Sequence, residues 1–166
     1  MGGRPKRGQL FMLLGMVVTA VLDTNAIDRV LDSPDLNLQV TRAVEGGRLR
    51  LLYTHVTVDE ISQVPDAKRR ADLFVLLTAC AEAVPTGDVV VGHSRLGMAR
   101  LSGDDSPIDS LRSPTGKHTA DALIAGTALD ESALLVTYER RLTNQATAAG
   151  ATVVTWSGLL ARLPKD

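Results

Sequence analysis

The chain has a single cysteine, Cys80, so no intrachain disulfide is available. That excludes the stapled framework of a small secreted domain and reads as a cytoplasmic protein. One Cys and three His also fall short of zinc-finger ligand spacing. Aromatic residues are only 3% of the chain, too few for a broad base-stacking platform. A formal net charge of -1 excludes a global basic field of the kind that coats DNA. It leaves room for an enzyme that holds nucleic acid through bound metal ions. The basic side chains are 14 Arg against 4 Lys, a bias that suits bidentate phosphate contact and that codon composition equally produces. The apolar run Leu10–Leu22 has 13 residues, including Gly15 and Thr19, and is too short to cross a bilayer as a helix, so no membrane partner is expected.

What is present is the composition of one soluble domain: 166 residues, 45% hydrophobic and 22% charged. Arg4, Lys6 and Arg7 ahead of the apolar run look like the start of a signal peptide, but Asp23-Thr24-Asn25 arrives where a small-residue cleavage site belongs. The alternative is a dispensable basic leader over residues 1–15, with Met12 and Met16 as later starts, and one domain over 16–166 that opens with a buried strand.

Short apolar runs then alternate with stretches of helical period. Val17–Leu22, Leu49–Tyr53, Val84-Pro85, Ala133–Thr137 and Ala151–Trp156 read as strands. Leu36–Glu45, Thr54–Val64, Ala67–Ala81, a weak Asp88–Leu101, Thr115–Leu129, Arg140–Ala149 and Ser157–Leu163 read as helical, and Ser102–Pro114 is the clearest loop. The alternation predicts an α/β chain with a mainly parallel sheet covered on both faces. In such a sheet, ligand groups gather beyond the carboxyl ends of the strands.

Two of those ends carry acids. Asp23 directly follows the first strand and Glu139 comes two residues after Thr137; Glu60 and Asp121 lie on helices packed near the same edge. Each has a structural explanation by itself. Asp23 suits a helix N-cap. Thr57-Val58-Asp59-Glu60 matches a capping box, with Glu60 reaching back to the Thr57 amide. Asp121 and Glu139 suit the first turn of a helix. Jointly they point elsewhere. Like charges at about 4 Å repel by roughly 4 kcal/mol at an effective dielectric near 20, and an acid in the apolar run Ala120-Asp121-Ala122-Leu123-Ile124-Ala125 needs a partner or a cation. Converging acids with no basic partner in reach imply a divalent cation.

The ordered set Val21-Leu22-Asp23-Thr24-Asn25, Val58-Asp59-Glu60-Ile61, Ala120-Asp121-Ala122-Leu123-Ile124-Ala125 and Leu135-Val136-Thr137-Tyr138-Glu139 resembles the PIN-domain ribonucleases over about residues 17–156. The match is nearest to the small toxins of VapBC-type toxin–antitoxin pairs. The resemblance implies a three-layer α/β/α sandwich around a five-stranded mainly parallel sheet and a Mg²⁺ or Mn²⁺ site. It implies Asp23 and Asp121 as the main metal ligands, Glu60 and Glu139 completing the catalytic acids, and Asn25 and Thr137 as supporting residues. It further implies an endoribonuclease acting on RNA, a small antitoxin partner and a homodimer. Two features depart from the family: the fourth acid is Glu rather than Asp, and Arg141 and Leu142 stand where a further acid is common.

Arg48 with Arg50, Lys68-Arg69-Arg70 and Arg140-Arg141 are candidate phosphate grips, the last pair lying beside Glu139; each also fits a solvated charged face. Tyr138 is the one aromatic placed either to stack on a base or to shield the strand end. His118 sits one helical turn before Asp121, while His55, His93 and the acidic loop of Asp104, Asp105 and Asp109 carry less weight. The rival readings are a catalytically inactive PIN-like scaffold or protein-binding module, and a different phosphate enzyme. A dehalogenase-like phosphatase lacks its second acid, where Asn25 stands, and a nucleotide-binding Gly-rich loop with Lys is absent.

Overall fold

Five apolar segments pair side by side in the computed structural model, which describes residues 17–86 and 119–164. In chain order the elements are β1 (Val18–Leu22), α1 (Thr24–Asp32), α2 (Pro34–Glu45), β2 (Leu49–Tyr53), α3 (His55–Ser62), α4 (Ala67–Cys80) and β3 (Ala81–Ala83). They continue as α5 (Thr119–Asp130), β4 (Leu134–Val136), α6 (Arg140–Ala148), β5 (Val153–Val154) and α7 (Trp156–Leu160). All pairings are parallel, in the order β3-β2-β1-β4-β5. The predicted α/β/α sandwich with a five-stranded parallel sheet is therefore the observed fold. The leader, Asp88–Leu101 with His93, the loop Ser102–Pro114 and His118 lie outside the described residues.

The period of the strands divides the core in two. Ala20 and Leu22 of β1 and Leu51 of β2 point to one face, where they pack with Ile27, Val30, Leu73, Leu77 and Trp156. Val21 and Leu52 point to the other, with Leu123, Ile124, Leu135 and Leu142. Each fully buried Leu or Ile contributes roughly 1.5–3 kcal/mol. Helix α5 is buried from Asp121 to Ala128 without interruption, the pattern of a helix apolar all round. Gly47 and Gly150, at the ends of α2 and α6, take φ of +66° and +93°, the left-handed closure that glycine permits.

Three elements differ from the sequence expectation. Helix α1 was absent from it: the segment is short, but Asp23 caps it and Ala26, Ile27 and Val30 bury one stripe. The third strand forms at Ala81–Ala83 rather than at Val84-Pro85. Its register against Leu51–Tyr53 decides its place; Val84 adds only its N–H to the Tyr53 carbonyl at 2.9 Å, and Pro85 has no N–H to give. The fifth strand shrinks to Val153–Val154 because Thr155 accepts from the Gly158 amide and starts α7 one residue later. That start carries Trp156 into the core, where its indole N–H donates to the Ala26 carbonyl at 2.8 Å.

Candidate active site

The chain leaves β1, works outward through β2 to β3, and then returns to the opposite side of β1 with β4. The crevice between the carboxyl ends of β1 and β4 is thus the point where strand order reverses, the usual ligand position in such sheets. Asp23 and Glu139 stand on its two sides. The Asp23 amide ties the sides together by donating to the Val136 carbonyl at 3.1 Å.

Asp23 is buried, and its carboxylate is held by neutral donors. One oxygen, Oδ1, accepts from the Thr24 amide at 2.7 Å. The other, Oδ2, accepts from the Thr137 hydroxyl at 2.6 Å and from the Asn25 side-chain amide. The Thr137 hydroxyl also accepts from the Glu139 amide at 3.0 Å and from Asn25 Nδ2 at 3.4 Å, so its full hydrogen-bonding capacity is used. Asn25 Oδ1 in turn accepts from the Tyr138 amide at 2.9 Å. Asn25 and Thr137 therefore lock the two loops and fix the orientation of Asp23.

Glu60 lies on α3, half-buried, and accepts from the Thr24 hydroxyl. The capping-box expectation for it is overturned: the N-cap of α3 is Thr54, Thr57 lies inside the helix, and the Thr57 hydroxyl reaches the Leu22 carbonyl at 3.4 Å. Asp121, in the first turn of α5, is buried; Glu139 is the N-cap residue of α6 but makes no side-chain cap bond. Arg141 is a basic partner in reach of both. Its Nη2 lies 2.6 Å from Asp121 Oδ2 and 2.9 Å from Glu139 Oε1. Arg140 is exposed at the same helix start.

Electrostatics link the acids. Burial raises the pKa of Asp23 above the usual carboxylate range, the bonds from Thr137 and Thr24 oppose it, and the charges of Asp121 and Glu139 add to the rise. Burial likewise raises Glu60, against the Thr24 bond, with Asp23, Asp121 and Glu139 adding to the rise. Among the described residues no three acids are drawn up as ready ligands of one ion. The donor chemistry nevertheless fits one: the candidate donors are carboxylate oxygens, the choice of hard cations such as Mg²⁺ and Mn²⁺, and Arg141 pairs with two of the four acids, Asp121 and Glu139.

Sequence reasoning missed two neighbours of the site. Thr24 stands between the two residues it did single out, in the first turn after the cap, where its hydroxyl meets Glu60. Arg29 follows Asn25 by one helical turn and lies 3.7 Å over the Tyr138 ring, whose hydroxyl accepts from the Trp156 amide at 3.1 Å. Tyr138 thus shields the strand end. The other basic clusters meet protein partners. Arg50 pairs with Glu82, Lys68 with Asp72, and Arg69 with Asp28 and Asp32, while Arg70 donates to the Val64 carbonyl. His55 is buried at the start of α3.

No family model matches the sequence, and no curated protein is found similar to it. Solved structures do resemble the fold. VapBC2 from Rickettsia felis, bound to a DNA fragment from its promoter, matches at a TM-score of 0.52 and 15% identity, over 84% of this chain and 99% of that one. VapBC-1 from nontypeable Haemophilus influenzae matches at 0.50 and 16%, over the same 84% and 99%. A PilT N-terminus domain protein from Sulfolobus solfataricus P2 aligns at 0.44 and 14%, over 87% of this chain and 92% of that one. At these identities the likeness is one of fold. The chain is an α/β/α protein with acids at the crevice where its strand order reverses. Its fold is the PIN fold.

Proposed function

We propose that the protein is a Mg²⁺- or Mn²⁺-dependent endoribonuclease and the toxin of a toxin–antitoxin pair. The observation that carries this reading is the Asp23 carboxylate, buried at the end of β1 and oriented by Asn25 and by Thr137 across the β1–β4 edge, with Glu60 tied to the adjacent Thr24 and with the charges of Asp121 and Glu139 raising the pKa of Asp23. Asp23 and Asp121 would be the main ligands of the cation, with Glu60 and Glu139 completing the set. When bound, the ion supplies a water of lowered pKa and offsets the charge that develops on the phosphodiester.

The chain's own residues do the rest. Thr137 and Asn25 fix Asp23 without neutralising it, and Thr24 holds Glu60 by Oε2. Glu60, held by Thr24 through Oε2, is the carboxylate we assign to take a proton from the attacking water. Arg140 and Arg141, at the start of α6 beside Glu139, would meet substrate phosphates.

The VapBC structures that share the fold support a small antitoxin as partner. A groove of about 400 Å³ lies between α2 and α4, lined by Leu31, Val44, Val75 and Leu76 together with the polar Asn37, Thr41, Glu45 and Asp72. It supports a homodimer built on the early helices. Among the described residues no helix is long and apolar enough to cross a membrane, and we place the protein in the cytoplasm.

The Arg141 bridge favours one second reading, an inactive scaffold whose acids are tied up in an ion-pair network. Cleavage of a labelled single-stranded RNA pool, with Mg²⁺ or Mn²⁺, by wild type and by Asp23→Asn separates the two. Metal-dependent cleavage that the substitution removes supports the nuclease; equal activity in both proteins rejects this site. Thermal unfolding of wild type and Asp121→Asn with and without millimolar Mn²⁺ reads the metal site without needing the right RNA.

A further inference from the structure

We propose that Arg141 is a positioning residue that holds the cation's place in the metal-free protein and sets how tightly the metal binds. The inference rests on the metal reading of the crevice. A single nitrogen, Nη2, sits 2.6 Å from Asp121 Oδ2 and 2.9 Å from Glu139 Oε1. Among the described residues these two acids have a charged partner, while Asp23 and Glu60 receive N–H and O–H bonds from neutral donors. The guanidinium therefore offsets part of the mutual repulsion among the carboxylates and does so from between two of them.

Geometry makes this contact a competitor rather than a support. The oxygens that Nη2 engages are oxygens a divalent cation would need, and a guanidinium and a divalent cation cannot share them without strong repulsion. The Arg141 side chain is 44% exposed, against 12% for Asp121, so the cation that leaves is the one with a path to water. Its long stem, rooted in the first turn of α6, lets the head swing out while the backbone stays. Metal entry would turn Arg141 outward, onto the rim where phosphates approach.

A structural ion pair and a competing cation predict opposite results when Arg141 is neutralised. The test is calorimetric titration of the full chain with Mn²⁺, for wild type, Arg141→Gln and Arg141→Lys, with thermal melts alongside. Arg141→Gln is expected to melt lower than wild type without metal, because its acids lose their counter-charge. It is expected to bind Mn²⁺ about tenfold more tightly, the equivalent of about 1.4 kcal/mol, and to recover its melting deficit as Mn²⁺ saturates. Arg141→Lys, with a compact point charge in place of the planar fork, is expected between the two. If Arg141→Gln does not fold, the lysine variant decides by the same sign. Folded variants that bind Mn²⁺ no more tightly than wild type overturn the proposal and leave the metal reading standing. Should none of the proteins, Arg141→Gln included, bind Mn²⁺, the metal reading falls and the proposal with it.

Discussion

Helix α1 carries acids at both ends, and the fold treats the two ends in opposite ways. At its start, buried Asp23 is held by Thr24, Asn25 and Thr137, none of which brings a positive charge. At its far end Arg69 of α4 donates to Asp28 at 2.8 Å and to Asp32 at 2.8 and 2.9 Å. The consequences have opposite sign: burial holds Asp23 above the usual carboxylate range, and the Arg69 bonds hold Asp32 below it. One end fastens α1 to α4 with a solvent-screened ion pair. The other orients a carboxylate while leaving its charge uncancelled, an arrangement that costs stability unless a cation completes it. Arg141 at Asp121 and Glu139 lies between these extremes.

The contrast breaks most sharply in activity. Asp23→Asn is expected to lower RNA cleavage by about a hundredfold or more, the scale on which a positioned catalytic group contributes. It replaces an acceptor with a donor opposite Thr137 and Asn25 and removes a charge from the proposed metal site. Arg69→Met, at the other end of the same helix, is expected to leave the cleavage rate unchanged. A parallel time course on one RNA pool checks both, and a comparable loss in Arg69→Met would remove the functional distinction between the two ends.

Thr137→Val comes next. It keeps the shape of the side chain and removes the hydroxyl that donates to Asp23 and accepts from Glu139. Partners that orient ligating groups are worth about 10–100-fold in metal affinity or activity, and a buried carboxylate stripped of a donor costs about 1–3 kcal/mol in stability. Mn²⁺ titration and urea melts are expected to show both losses, with metal affinity falling further than a general weakening of the fold explains.

Much of this layout was legible in the sequence because the relevant signals are local. Apolar runs marked β1, β2 and β4, and Asp23 stood out because it ends an apolar strand. Asp121 stood out because it interrupts an apolar helix that turned out buried on all sides. Strand order was not legible: no local pattern states that β4 returns beside β1, and that return makes the β1–β4 edge a crevice. Side-chain destinations were hidden for the same reason. Glu60 in a capping-box spacing goes to Thr24, 36 residues away, instead of to its own helix start. Arg141, read as a phosphate grip, turns back to Asp121 on the neighbouring helix. The third and fifth strands were misjudged because backbone register and a helix cap, rather than hydrophobicity, set their ends.

Glu60→Gln sharpens the contrast through pH. Its amide oxygen can still accept from Thr24, while the charge that burial and three acidic neighbours disfavour is gone. A raised folded-state pKa means that the folded protein binds the proton more tightly than the unfolded chain. Glu60's contribution to stability is then fully present below the ordinary Glu range and is lost as pH rises through the raised value. Without metal, Glu60→Gln is expected to match wild type in mild acid and to melt higher near neutrality. Saturating Mn²⁺ is expected to reverse the order, since wild type alone keeps the complete set of ligands. Melts across pH with chelator, repeated with Mn²⁺, read both signs.

The smallest effect belongs to the clamp. Asp32 is lowered chiefly by its hydrogen bonds from Arg69, so its sign runs the other way: its contribution is present above the ordinary Asp range and is lost as pH falls through the lowered folded value. Arg69→Met is therefore expected to destabilise modestly at neutral pH, and the gap from wild type is expected to close in acid, where Glu60→Gln has no advantage either. Exposure and salt screening keep the effect small, and added salt should shrink it further. Urea melts of Arg69→Met at about pH 7 and about pH 3, at low and high salt, test this. A deficit that persists in acid would mean that the aliphatic stem of Arg69 matters more than its charge. The far end of α1 would then be held by packing and not by the ion pairs that set it apart from Asp23.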